Sequence, residues 1–77
     1  MKKNEKKLLN QALGLIIESK EIVEALKDAR EAYYDERSGA WQEGEKGEAY
    51  CEESDAIEQL LSSIKEAEEG FGELELD

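Results

Sequence analysis

The residues from Leu8 to Tyr34 most constrain what this chain can fold into. Apolar side chains recur there every seven residues, in three adjacent rows. The rows are Leu8, Leu15, Ile22 and Ala29; Leu9, Ile16 and Val23; and Ala12, Leu26 and Tyr33. Because a seven-residue repeat drifts only slowly around an α-helix, each row stays on one face. The pattern predicts one long amphipathic helix whose apolar stripe is wide enough to contact more than one neighbouring helix.

The rest of the sequence predicts a single all-α domain over residues 1–77. The 77 residues contain no proline, and the strong turn signals cluster between two long helical patterns. We predict a first helix over about residues 4–37, a loop at 38–44, a second helix over about 45–69 and a tail at 70–77. Asn4 and Gly44 are the expected N-caps, while Gly39 and Gly70 are the expected helix ends. The short connection favours a two-helix antiparallel hairpin.

Two charged residues interrupt the predicted contact between the helices. The stripe of the second helix consists of Tyr50, Ile57, Leu60, Ile64 and Ala67. Glu53 occupies a predicted core position near the loop, and Arg30 breaks a row of the first helix. We therefore expect Glu53 to pair across the two helices with Arg30 or Arg37.

The two helices differ in length, which bears on oligomeric state. At a rise of 1.5 Å per residue, the first helix is about 50 Å long and the second about 37 Å. We expect a homodimer that forms an antiparallel four-helix bundle and covers the surplus N-terminal end of the first helix. The expected interface residues are Leu8, Leu9, Leu13 and Ile16. If the tail folds over that end instead, a monomer is the alternative.

The charge of the chain is strongly negative and unevenly placed. The formal net charge is −11; residues 1–20 hold five lysines and two glutamates, whereas residues 38–77 hold two lysines and thirteen acids. Such a field repels nucleic acid and anionic lipid, so neither a nucleic acid nor a membrane is an expected partner. It favours a protein with a basic surface, or simply keeps the chain soluble. No stretch approaches the ~20 apolar residues that span a bilayer and no signal-peptide pattern is present, so we expect a cytoplasmic protein.

Residues suited to catalysis or metal binding are scarce. The chain has no histidine, and Cys51 is its single cysteine. A zinc site and an internal disulfide are therefore not expected, and Cys51 lacks a base that would activate its thiol. No phosphate-binding loop, dinucleotide fingerprint or metalloprotease motif occurs. We expect no enzyme, no metal and no cofactor.

Two groups of residues are candidates for contacting a partner. The aromatic residues Tyr33, Tyr34, Trp41 and Tyr50 lie near the loop, where Trp41 either pins the loop or anchors a partner. The second helix carries an acidic row that includes Glu45, Glu48, Glu52 and Asp55. Such a column of carboxylates either imitates the phosphate spacing of DNA or is a solvated helix face. We predict that Trp41 and these four acids form the partner-binding site.

The segment that links the two helices resembles a known group of proteins. Residues 41–50 read WQEGEKGEAY and are followed by Glu52, Ala56 and Ile57. This stretch resembles small, mostly uncharacterised, acidic helical-hairpin proteins of bacteriophages. The resemblance implies a helical hairpin and a phage origin, although Gly44 stands where the group usually has serine. The group has no known active site, so the resemblance transfers no functional residue.

Three functions remain open from the sequence. The first is a phage protein that binds and inhibits a host protein, in defence or nucleic-acid handling, through a DNA-mimic-like acidic face. The second is a purely structural oligomerisation module that uses its leucine-rich end. The third is a sponge for a nucleotide signal, for which Lys20, Lys27 and Arg30 supply the cations near the contact between the helices.

Overall fold

The protein is an elongated pair of long helices joined by a short one. The computed structural model describes residues 1–74 and 76. Its elements are α1 (Lys3–Asp35), α2 (Gly39–Glu43) and α3 (Glu45–Gly72). The described part of the chain measures 58 × 15 × 13 Å along its principal axes. The all-helical class and the long first helix are confirmed.

Helix α1 is continuous over 33 residues. It passes through Gly14 without a break, because good helix formers surround this glycine on both sides. The helix begins at Lys3, so Asn4 lies inside the first turn and is not the cap that the sequence suggested. The backbone N–H of Lys2 instead donates to the Glu5 carboxylate at 3.0 Å. An acid in the first turn also suits the positive end of the helix dipole.

The connection predicted as a loop contains the short helix α2. The Ser38 hydroxyl accepts a hydrogen bond from the backbone N–H of Trp41 at 3.3 Å and caps this helix. The Gln42 amide donates to the backbone carbonyl of Tyr34 at 2.8 Å, which satisfies a carbonyl at the end of α1. Gly39 does not end α1 in a left-handed conformation, since no described residue has positive φ. Gly44 is the N-cap of α3, as predicted.

Helices α1 and α3 pack side by side in antiparallel order. Contacts join Arg30 to Ser54, Lys27 to Glu58 and Lys20 to Glu68, so one helix descends as the other ascends. We call the residues of each helix that face the other its inner stripe. The inner stripe of α1 is Leu9, Leu13, Ile16, Lys20, Val23, Lys27, Arg30 and Tyr34, all half-buried. The inner stripe of α3 is Gly47, Tyr50, Ser54, Ile57, Leu61, Ile64, Glu68 and Phe71, all buried or half-buried.

The register of α3 differs from the prediction by one residue in places. Leu61 is buried against α1, whereas Leu60 is exposed. Glu53 is also exposed rather than part of the core. The helix continues past Glu69 to Gly72, which places Phe71 on the inner stripe. The predicted helix end and the start of the tail were therefore wrong.

Leu76 lies against the N-terminal part of α1. The Asn10 amide donates to the backbone carbonyl of Leu76 at 3.1 Å. Leu76 is half-buried, while Leu74 is exposed. The predicted tail at 70–77 also includes Glu75 and Asp77, which lie outside the described residues.

Candidate interaction surfaces

The loop end of the α1–α3 pair is closed by an aromatic cluster. The Trp41 ring lies edge-on to Tyr33, Tyr34 and Tyr50, with ring centroids 6.0, 6.2 and 5.6 Å apart. Tyr33 and Tyr50 have ring centroids 5.3 Å apart. These spacings are those of favourable aromatic pairs, and Trp41 is half-buried among them. Trp41 therefore pins the connection onto the helices, as in the first of its two predicted roles.

Arg30 forms a polar layer next to that cluster. Its guanidinium donates to the Ser54 hydroxyl and to the Tyr50 carbonyl, both at 3.0 Å. The guanidinium carbon lies 3.9 Å from the centre of the Tyr50 ring, which adds a cation–π contact. Glu53 lies 3.7 Å away and is largely exposed, so the predicted Arg30–Glu53 pair is present at the rim of this layer.

Two lysines of the inner stripe of α1 also bind acids of α3. Lys20 lies 2.6 Å from the Glu68 carboxylate, and this hydrogen bond raises the pKa of Lys20 above its ordinary value of 10.5. Lys27 lies 3.2 Å from Glu58, and the same kind of contact raises its pKa. Lys20, Lys27 and Arg30 are the cations that the sequence suggested for holding a nucleotide. In the structure each of them binds a group of α3.

A small cavity opens beside Arg30 on one side of the helix pair. Its volume is about 160 Å³, and its lining includes Arg30, Tyr34, Tyr50 and Cys51. A hydrogen bond with the Cys51 thiol, together with desolvation, raises the pKa of Tyr34. The cavity holds a few water-sized groups and is smaller than the pockets that enclose drug-sized ligands. Cys51 is exposed at its edge.

A second stripe on α1 lies next to the inner stripe and is turned away from α3, with only its last member, Tyr33, in the aromatic cluster. We call it the outer stripe of α1; every member sits one residue before a member of the inner stripe. It consists of Leu8, Ala12, Leu15, Ser19, Ile22, Leu26, Ala29 and Tyr33. It contains no charged residue. The spacing alternates strictly between four and three residues, which is the spacing of a coiled-coil seam.

Helix α3 has an outer stripe of its own on the same side of the pair. It consists of Lys46, Ala49, Glu53, Ala56, Leu60, Ser63, Ala67 and Gly70, all exposed. Both helices are right-handed and they run antiparallel. The residues that precede each inner stripe by one position therefore lie on the same side of the plane through the two helix axes. The two outer stripes together form what we call the apolar face.

The apolar face holds most of the large apolar side chains that the fold leaves in water. Six of the eight exposed large hydrophobic residues lie on it: Leu8 (62%), Leu15 (59%), Ile22 (62%), Leu26 (46%), Tyr33 (44%) and Leu60 (52%). The other two, Met1 and Leu74, lie near the chain ends. A contiguous apolar surface of this kind marks an interaction site more often than an ordinary monomer surface does.

The opposite side of the helix pair is acidic. The residues one step after each inner stripe carry nine carboxylates and one lysine, and we call this surface the acidic face. The acids are Glu21, Glu24, Asp28, Glu31, Asp35, Glu48, Asp55, Glu58 and Glu69, and the lysine is Lys65. Both helices contribute to it. The helix pair therefore has an apolar face on one side and an acidic face on the other.

The structure distributes the predicted site residues over several surfaces. Glu48 and Asp55 lie on the acidic face, whereas Glu45 and Glu52 follow the row of α3 that points away from α1; all four are exposed. Trp41 lies in the aromatic cluster, away from the middle of both faces. The predicted partner-binding residues therefore do not form one compact patch.

The predicted oligomer interface divides in the same way. Leu8 lies on the apolar face, whereas Leu9, Leu13 and Ile16 belong to the inner stripe of α1 and are half-buried. Sequence reasoning recognised that the apolar stripe of α1 is too wide for one neighbour. It did not separate the two seams, although their offset of one residue is visible in the sequence.

The part of the chain that the structure describes offers neither a metal-binding cluster nor a membrane-spanning helix. The described residues contain no group of three or more His, Cys, Asp or Glu side chains placed to hold a metal ion. Among those residues, no helix has the length and apolar character required to cross a membrane. Comparisons with protein-family models, with curated proteins and with solved structures found no match.

Proposed function

We propose that this chain is a non-enzymatic protein-interaction module that pairs with a second copy through its apolar face. Two such helix pairs stacked face to face form an antiparallel four-helix bundle. The observation that carries the proposal is the exposed, uncharged outer stripe of α1, which has the heptad spacing of a helix seam along eight positions.

The angle between the two seams of α1 supports the same assembly. Neighbouring residues in an α-helix are separated by about 100° around its axis. The inner and outer stripes of α1 are offset by one residue, so they also diverge by about 100°. In a four-helix bundle each helix contacts two neighbours at roughly a right angle, which this geometry matches. A helix that packed against only one neighbouring helix would need only one such stripe.

Sedimentation equilibrium tests the proposal. We expect wild-type protein to sediment at twice the 8.7 kDa mass of one chain. The double variant Leu15→Ser/Ile22→Ser removes apolar contacts from the middle of the apolar face without adding charge. Since both side chains are exposed within one chain, the variant keeps its helical circular dichroism and sediments as a monomer.

Ile17→Ser is the matched control. Ile17 is a half-buried residue of α1 that lies one step after Ile16, on the side away from the apolar face. The substitution makes a similar chemical change, so it leaves the dimer in place. A wild-type monomer, or equal dissociation of both variants, would contradict the proposal.

A second candidate function is contact with a basic protein through the acidic face. The observation that favours it is the convergence of carboxylates from both helices on one side, opposite the apolar face. In the assembled bundle the two acidic faces remain outside and accessible. Inhibition of a host protein by a phage-encoded chain is one form of this function, and it rests on the resemblance of residues 41–57 described above.

Competition with a DNA-sized polyanion tests this second function. A basic protein that binds the acidic face is released by heparin and by about 200 mM added salt, because the contact is electrostatic. The variant Glu48→Gln/Asp55→Asn weakens binding severalfold. Glu45→Gln/Glu52→Gln removes the same charge from the far side of α3 and serves as the control. If the two variants weaken binding equally, net charge rather than the acidic face is responsible.

A further inference from the structure

We infer that the two copies stack head to tail, with α1 of one copy antiparallel on α1 of the other. This inference rests on the proposed self-association through the apolar face. It adds the identity of the helices that meet and the direction in which they run. Two observations carry it: the symmetry of the outer stripe of α1 and the distribution of charge along the molecule.

The outer stripe of α1 reads the same in both directions. Its spacing is four, three, four, three, four, three and four residues, which is unchanged on reversal. When two such stripes run antiparallel about a point between residues 20 and 21, every position meets a position of the other stripe. The two-fold symmetry of a homodimer needs this self-complementarity.

Three of the four kinds of pair that this register brings together match in size. Leu15 meets the partner's Leu26, and Ala12 meets the partner's Ala29. Toward the ends Leu8 meets the partner's Tyr33, and next to the axis Ser19 meets the partner's Ile22. Large residues thus fill a layer together and alanines share a layer, so the two α1 helices stay in contact from end to end.

The charges along the rod favour the same direction. The half near the connection, residues 21–64, carries a formal net charge of −9. Outside that half, residues 1–20 carry +3 and residues 65–77 carry −5, so together they carry a net charge of only −2. Head-to-tail stacking places each −9 half beside the less charged half of the partner. Parallel stacking would place the two −9 halves together, at a large cost in repulsion.

The parallel alternative also pairs the apolar face less well. It places α1 of one copy over α3 of the other at the same level along the rod. Tyr33 would then lie level with the partner's Glu53, the one acid of the apolar face. Head-to-tail stacking moves Glu53 to the less charged end of the partner, which carries Lys2, Lys3, Lys6 and Lys7.

Cys51 allows the direction to be measured on the native chain. It is the single cysteine, it is exposed, and it lies outside the apolar face. It lines the same cavity as Tyr34 and precedes Ser54, the partner of Arg30, by three residues, so it lies about level with residue 34 of α1. Head-to-tail stacking brings residue 34 level with residue 7 of the partner, which separates the two Cys51 residues by about 40 Å along the axis at 1.5 Å per residue.

Double electron–electron resonance with a nitroxide on Cys51 gives the result directly. Head-to-tail stacking predicts a distance of about 45 Å once the width of the bundle is included. Parallel stacking predicts about 25 Å, since both labels would lie at the same level. Glu21→Cys in a Cys51→Ser background is the control, because residue 21 lies level with the two-fold axis, on the acidic face, and yields a distance of about 25 Å in either arrangement.

The possible outcomes separate this inference from the proposed function. A dimer with a Cys51 distance near 45 Å supports both. A dimer with a distance near 25 Å overturns the head-to-tail arrangement and leaves self-association in place. A chain that sediments as a monomer and shows no dipolar signal overturns both.

Discussion

The two stripes of α1 have the same heptad spacing but opposite composition. The inner stripe faces α3 and includes Lys20, Lys27 and Arg30, each of which binds a group on that helix. The outer stripe carries no charge and is turned away from α3, except at Tyr33, which packs in the aromatic cluster. The more apolar of the two stripes is therefore the one left in water. This contrast indicates that the inner stripe fixes register within the chain, while the outer stripe drives association between chains.

The largest loss of stability is expected from a substitution at Gly47, where the inner stripe of α3 begins. A Cβ added at Gly47 would lie 2.5 Å from the carbonyl oxygen of Trp41 and would also overlap that of Gln42. Since both neighbours are backbone atoms, α2 would have to move away from α3. Gly47→Ala therefore destabilises the fold by about 3 kcal/mol. Urea unfolding at fixed protein concentration measures the change, and wild-type stability would show that the close approach of α2 is wrong.

Neighbouring truncations separate the two stripes of α1. Ile22→Ala removes contact from the outer stripe of both copies and weakens the dimer by about 1 kcal/mol for each copy, which is about 2 kcal/mol in all or roughly 30-fold in Kd. It leaves the unfolding of the separated chain almost unchanged, because Ile22 is exposed there.

Val23→Ala, one residue along, is the counterpart on the inner stripe. It lowers the stability of each chain by about 1 kcal/mol and leaves chain association less affected. Sedimentation and urea unfolding on both variants measure the two effects separately. If Ile22→Ala and Val23→Ala change dimer dissociation and chain unfolding by the same amounts, the distinction between inner and outer stripes is wrong.

Gly14 lies on neither stripe and offers a stabilising change. A Cβ placed there meets nothing within 4 Å, and the backbone is helical. Gly14→Ala therefore raises the free energy of unfolding by up to about 1 kcal/mol, through lower entropy of the unfolded chain. Thermal unfolding followed by circular dichroism measures the increase. A loss of stability would indicate that another helix packs against Gly14.

The smallest effect is a loss of stability at alkaline pH. The pKa values of Lys20 and Lys27 are raised in the folded chain by hydrogen bonds to Glu68 and Glu58. Their contribution is complete below the ordinary lysine value of 10.5 and is lost as the pH rises through the raised values. The melting temperature should therefore fall above about pH 10.5.

Lys20→Met provides the comparison for this titration. The substitution keeps an unbranched apolar side chain but removes the titrating group. The variant should lose part of the alkaline dependence that the wild type shows, when melting curves are recorded from pH 8 to 12. An identical dependence in both proteins would show that the Lys20–Glu68 contact does not contribute.

The extent to which the sequence predicts this fold depends on the kind of signal. Heptad rows predict α1 well, because nearly every turn of a long amphipathic helix places an apolar residue on the same face and so repeats the signal. The glycines near residue 70 mislead, since α3 continues to Gly72 to place Phe71 against α1. Helix α2 was not predicted, because it depends on Ser38 as a cap and on Gln42 binding the end of α1, which are tertiary details.

The candidate surfaces were predicted less completely than the helices. The width of the apolar stripe of α1 indicates a second neighbour, yet which rows face α3 depends on the register of both helices. The acidic face was not predicted, because five of its nine acids lie on α1, outside the acidic row of α3. Only the antiparallel packing of the two helices brings these carboxylates to one side.

Intermolecular contacts of methyl groups test the central claim most directly. In a sample that mixes isotope-labelled and unlabelled chains, filtered nuclear Overhauser spectra detect contacts between copies alone. Pairing through the apolar face predicts such contacts for the methyl groups of Leu8, Leu15, Ile22 and Leu26, and none for Ile17. The absence of intermolecular contacts at these four residues, or their appearance at Ile17 instead, would contradict the account.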